Sequence, residues 1–241
     1  MTISRSCLVG MLFCSIQCIG QQLPADTTFL TAAKDNQVRL YTEYIVGQTR
    51  LNNGSEHRDY LSRNDEHPYF GQDDWQYGSI VYDEESYENV PLFYDLSRDK
   101  VITEHSINGS KLELISEKIL RFSIAGHTFQ KLDRDESKII TEGFHDVLYD
   151  GKTKVYVRRE KALQQRVESN DIIFNFQQKN RVYVFKDGVY HPVRKKSSLL
   201  DVFEDKKQEV RAFLNKSGTK YKHDRENAIA RVAEFYDAQN Q

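Results

Sequence analysis

The chain has 241 residues, with 34 Lys and Arg against 36 Asp and Glu, a formal net charge of −2, and 39% hydrophobic residues. That profile excludes a disordered polyelectrolyte, and the fourteen Tyr and thirteen Phe tilt it toward aromatic-rich sheets. All three cysteines and both methionines lie in the first eighteen residues, so the chain beyond them has no disulfides, thiolate metal sites or cysteine nucleophiles.

Residues 1–20 read as a secretory signal peptide. Arg5 supplies the positive region, Cys7 to Cys14 an apolar core, and a small residue, Gly20, precedes polar Gln21-Gln22. The apolar stretch is too short for a membrane span, and Gln17 before Cys18 argues against a lipidation site. The expected mature chain, residues 21–241, is an exported domain: periplasmic, outer-membrane-associated or secreted.

Residues 28–46 carry Leu30, Ala33, Val38, Tyr41 and Ile45 near helical spacing, closed by Gly47, and predict a helix; residues 38–46 also fit a strand. After Gly47 the punctuation becomes that of hairpins. Asn53-Gly54, Asn108-Gly109, Asp150-Gly151 and Asp187-Gly188 are Asx-Gly pairs suited to positive φ in tight turns. Between and around them the runs 78–83, 87–94, 100–105, 111–115, 119–124, 128–132, 147–149, 155–157, 182–185 and 189–193 read as strands. Residues 61–77 are polar, acidic and aromatic and predict a long surface loop. Helices return from Ser197 to Phe203, from Lys206 to Lys216, and after a capping Asp224, where Ala228, Ile229, Val232, Phe235 and Tyr236 form an apolar stripe.

The expected fold is therefore mainly β (α+β). An antiparallel meander over residues 48–193 forms a curved or barrel-like sheet. An N-terminal helix and two or three C-terminal helices over 197–238 pack on it. An outer-membrane barrel is disfavoured by the short strands and the helical C-terminal segment.

Signatures of metalloproteases, serine hydrolases and phosphate-binding loops are missing. The best ligand-binding candidates are Tyr69, Trp75 and Tyr77, whose faces suit stacking on a sugar or peptide, with Asp73 and Asp74 as acceptors. The alternative is that these rings fold back and plug one end of the sheet. His57, His67 and Asp65 are the weak metal candidates, following no recognised ligand spacing. Asp73, Asp74, Asp83, Glu84, Glu85 and Glu88 could offer oxygen ligands to calcium but lack calcium-loop spacing, and Asp83-Glu84-Glu85 reads as a solvated turn between two strands. His145 and Asp146, adjacent on a strand, point to opposite faces and form no dyad. No cofactor is expected.

Charge is unevenly spread. Residues 21–150 hold 13 basic and 24 acidic side chains (13 − 24 = −11), and residues 151–241 hold 20 and 12 (20 − 12 = +8). Arg194-Lys195-Lys196, Lys206-Lys207 and Lys216 to Lys222 make a basic C-terminal surface suited to peripheral contact with an anionic surface.

The runs Gly78 to Asp83, Tyr87 to Asp95, Val147 to Gly151 with Arg158 to Lys161, and Lys186 to Val193 leading to Leu200 resemble a family of exported Bacteroidetes proteins to which no activity is assigned. The resemblance spans residues 53–236 and implies a diderm envelope, with no site carried over. The functional expectation is a non-enzymatic exported or cell-envelope protein with a binding or structural role, its partner an envelope component or glycan rather than nucleic acid. The alternative is a hydrolase of glycan or peptide using a carboxylate pair or His57 and His67.

Overall fold

The structure, a computed structural model, describes residues 50–60, 67–168, 171–216 and 221–239 together with Lys34, with the backbone alone at 165–168 and 171–174. The signal peptide at 1–20, the helix expected at 28–46 (Lys34 apart) and Asp65 lie outside the described residues.

Eleven strands form one antiparallel sheet. They are β1 (Gly54–Glu56), β2 (Gln76–Tyr82), β3 (Glu85–Asp95), β4 (Lys100–Glu104), β5 (Lys111–Leu114), β6 (Ile119–Ile124), β7 (His127–Leu132), β8 (Gly143–Asp150), β9 (Lys154–Glu168), β10 (Asp171–Lys186) and β11 (Val189–Val193). The spatial order is β1-β5-β4-β3-β2-β6-β7-β8-β9-β10-β11. Two meanders thus run outward from the β2–β6 pair, and β1 and β11 are the edge strands among the described residues. The sheet does not close into a barrel.

It does curl. Three strand spacings separate β3 from β7, about 14 Å in a flat sheet. Yet the Tyr94 and Phe129 rings meet at 4.9 Å, and Tyr94 reaches Phe144 on β8 at 6.0 Å. The enclosed core joins Leu92, Tyr94, Val101, Leu114, Phe122, Phe129 and Phe144. Alternation sorts the faces: Val155, Val157, Val182 and Val184 point to the helices, whereas Tyr156 and Tyr183 point to a separate cluster with Leu132 and Ile140.

Three helices follow: α1 (Lys196–Val202), α2 (Lys207–Lys216) and α3 (Arg225–Ala238). Asp224 caps α3 by accepting the Asn227 N–H. Ser198, inside α1 rather than before it, accepts the N–H groups of Arg194 and Lys195 at 3.0 Å each. Leu199, Phe203, Val210, Leu214, Ile229 and Val232 are buried against the valines of β9 and β10. Each full burial of this kind contributes about 2 kcal/mol, which fixes the helices on that face.

β9 and β10 are longer than the hydrophobic pattern suggests. Only Lys154–Val157 pairs with β8 and only Val182–Lys186 with β11. The rest is a two-stranded ribbon, held where Lys161 N–H donates to the Leu96 carbonyl and Phe176 meets Tyr60 edge-on at 5.2 Å.

Candidate functional site

The aromatic segment is not a free loop. Tyr69 forms a bridge to Asp95, Phe70 N–H donates to the Tyr94 carbonyl, and Lys161 Nζ donates to the carbonyls of His67 and Tyr69 at 2.8 Å each. Tyr69 is 3% exposed and packs on Phe93 at 4.5 Å, with its hydroxyl donating to Asp59 at 3.0 Å. Burial, reinforced by the Asp59 charge, raises its phenol pKa. Trp75 is half-buried against Phe93 at 4.4 Å. The Tyr69 ring is buried in this packing and offers no free face for stacking, whereas the Trp75 ring is only partly covered. Tyr77 is 66% exposed, and Asp73 and Asp74 are exposed, Asp74 accepting the Trp75 N–H at 2.7 Å.

His57 is enclosed by protein partners. Its Nδ1 lies 2.9 Å from Glu113 Oε1 and its Nε2 lies 3.2 Å from the Tyr69 hydroxyl. His67 stacks on Tyr69 at 6.1 Å, and burial together with the Lys161 charge lowers its pKa. Among the described residues no group of three His, Cys, Asp or Glu side chains could hold a metal ion. Asp83 and Glu84 form the turn between β2 and β3, with Asp83 3.1 Å from Lys118.

His145 and Asp146 do face opposite sides of β8. His145 Nδ1 donates to the Gly143 carbonyl at 3.0 Å and the ring stands edge-on to Tyr183; burial pulls its pKa down to about 4. Asp146 faces the helices and accepts from Arg159.

A feature with the geometry of a binding site lies where β11 ends. The pairs Lys186–Val189, Val184–His191 and Val182–Val193 are the hydrogen-bonded ones, inferred from the two-residue turn at Asp187-Gly188. Pro192, in a non-hydrogen-bonded pair, has no N–H to offer the outer edge, which suits an edge strand. Beyond Val193 the chain leaves for α1, so β10 loses its neighbour at residues 179–181. The alternation directs the backbone N–H and C=O of Asn180 onto this open edge.

A cavity of about 420 Å³ occupies the gap. Lys179, Arg181, Arg194 and Arg225 line it, with Asn180, Val182, Tyr183, Pro192 and Val193, and no carboxylate does. Arg225, the first residue of α3, donates from Nη1 to the Arg194 carbonyl at 3.4 Å and so closes one side. Arg181 pairs with Glu160 at 2.9 Å. Among the described residues no carboxylate lies within ion-pair reach of Lys179, Arg194 or Arg225.

Sequence reasoning named Arg194 as part of a basic surface but not Lys179, Arg181 or Arg225, which come together only through the early end of β11. Compared with known proteins, the chain matches no family model, no curated protein and no solved structure.

Proposed function

We propose that the mature chain is an exported, non-enzymatic binding protein of the cell envelope, and that it holds an anionic ligand in the pocket between β10, the end of β11 and the start of α3. One observation carries the reading: four cations border a cavity without a single carboxylate in its wall. Like charges gathered this way repel, and an anion placed among them relieves the repulsion while gaining charge-assisted hydrogen bonds. The leader-like first twenty residues and the resemblance to exported Bacteroidetes proteins support the location. No helix among the described residues is long and apolar enough to cross a membrane.

The test is thermal unfolding of the mature chain against phosphate, sulfate and citrate. A ligand at about 100 times its Kd adds about 2.7 kcal/mol, a Tm rise of about 5–10 °C at this chain length. The rise shrinks in high salt and in an Arg181→Gln/Arg194→Gln variant. A Tm indifferent to every anion at low ionic strength overturns the reading.

A further inference from the structure

We infer that the occupant of this pocket is an organic phosphate monoester, an inference that rests on the anion-binding reading above and names its ligand class. Three features of the pocket point there.

The first is direction. The three arginines come from three separate elements: Arg181 from β10, Arg194 from the β11–α1 connection and Arg225 from the first turn of α3. A planar carboxylate is satisfied by one guanidinium fork in its own plane. A phosphate monoester presents three oxygens splayed around phosphorus, which suits donors carried by separate elements, although Arg181 also turns a guanidinium nitrogen to Glu160 on β9. The N–H of Asn180, which the ladder alternation turns toward the open edge, adds a neutral donor.

The second is charge. Glu160 offsets Arg181, and the Asp224 carboxylate is turned to the N–H and amide of Asn227 at 3.3 and 2.9 Å. Among the described residues Lys179, Arg194 and Arg225 have no carboxylate within ion-pair reach. A ligand group of nearly two negative charges matches this better than a single carboxylate, and a phosphate monoester carries about −1.5 to −2 at neutral pH.

The third is volume and lining. At about 420 Å³ the cavity falls in the range of small-molecule sites rather than of a lone oxyanion. Exposed Pro192 supplies apolar surface for an organic body, beside Val182, Tyr183 and Val193, whose side chains are largely packed in the core. A soluble phosphate ester and a lipid with a monoester headgroup share this chemistry.

Isothermal titration of the mature chain with glucose 6-phosphate, inorganic phosphate, citrate and glucose tests the class. Flotation with phosphatidylcholine vesicles containing phosphatidic acid or phosphatidylglycerol tests the source. Expected is binding of glucose 6-phosphate, of phosphatidic acid vesicles, or of both, at least tenfold tighter than of citrate and inorganic phosphate, and none of glucose. Arg194→Gln and Arg225→Gln weaken it at least tenfold while the ligand-free Tm stays within about 2 °C of the parent, as for side chains outside the core. Arg194→Lys keeps the charge but loses the fork, and it weakens binding several-fold. Retention by phosphatidic acid vesicles alone identifies a lipid source; binding of the soluble ester alone identifies a soluble one.

Citrate binding as tightly as the monoesters overturns the ligand class and leaves an anion site standing. Equal retention by phosphatidylglycerol and phosphatidic acid overturns it too, since the diester carries one charge. Inorganic phosphate binding as tightly as the monoesters overturns the role of the organic body. Failure of every anion overturns the anion site itself.

Discussion

Arg159 on β9 and Asp146 on β8 form a buried ion pair in which guanidinium Nε and Nη2 both donate to Asp146 Oδ2, at 2.8 and 2.6 Å. The same Nη2 reaches Glu226 in the first turn of α3 at 2.7 Å, and Asn180 donates to Glu226 at 2.9 Å. The pair thus ties the sheet to the helix that carries Arg225. Arg159 is 6% and Asp146 0% exposed, so removing either partner leaves a charge with little water to solvate it.

Asp146→Ala and Arg159→Met are therefore each expected to lower unfolding stability by about 3 kcal/mol, read from urea denaturation. The double replacement Asp146→Leu/Arg159→Met removes both charges and recovers most of that loss. A double variant as unstable as the sum of the singles would show that the residues act independently.

His145 makes stability depend on pH in a defined window. Burial holds its folded pKa near 4, against 6.5 for the ordinary imidazole. Between those values the unfolded chain takes up a proton that the folded chain refuses, so stability falls as pH drops from about 6.5 toward 4. The loss levels off below 4, where both states are protonated. The full span is about 3 kcal/mol, from about 1.4 kcal/mol per pH unit. His67 and His191, also displaced downward by burial, add in the same direction. His145→Asn keeps a donor toward the Gly143 carbonyl without titrating, and a urea series from pH 7 to pH 4 is expected to be flatter in this variant.

Much of the sheet is legible because short apolar runs alternate with turn residues. The strands 119–124 and 189–193 are bounded as their sequence indicates. Asp187-Gly188 takes positive φ at both residues, as the dipeptide suggests. Asn53-Gly54 does not join two strands: Gly54 opens β1, and a Cβ there would overlap the Glu113 carbonyl oxygen across the pair. Conversely Asp83-Glu84 and Ala125-Gly126 make tight turns with positive φ although neither is an Asx-Gly pair. Strand pairing and closure energy outweigh local preference there. The ribbon of β9 and β10 escapes a pattern search because Gln164, Gln177 and Gln178 interrupt any alternation, and its partners are distant: Leu96 and Tyr60. The basic pocket is hidden for the same reason, since Lys179 and Arg225 become neighbours only through topology.

Gly78 marks a close backbone approach rather than a turn. A Cβ at this position in β2 would overlap the Ser123 carbonyl oxygen on β6, the junction from which both meanders extend. Gly78→Ala is expected to cost about 3 kcal/mol, because a central strand pair must spread to admit one methyl group. Gly126, whose added Cβ meets nothing within 4 Å, sits in the β6–β7 turn at positive φ. Alanine there costs about 1 kcal/mol from conformation alone. Thermal unfolding of the two variants separates steric from conformational demand, and equal losses would contradict the close approach at Gly78.

The plug formed by Tyr69 and Trp75 separates a packing role from a recognition role in residues 69–77. Tyr69→Phe deletes a hydroxyl that donates to Asp59 and meets His57, leaving a buried imidazole nitrogen without that partner. The expected loss is about 1–2 kcal/mol. Asp73→Ala and Tyr77→Ser alter exposed side chains and are expected to shift stability by less than about 0.5 kcal/mol. Trp75 is the sole tryptophan of the chain and touches Phe93, so its fluorescence reports the opening of this plug during unfolding. If these residues serve recognition instead, glycan or peptide would quench Trp75 emission in the native state, and Asp73→Ala would abolish the quenching. With a packed plug, native emission stays constant on adding either ligand class, and the Tyr69→Phe loss shows as an earlier transition in the same signal.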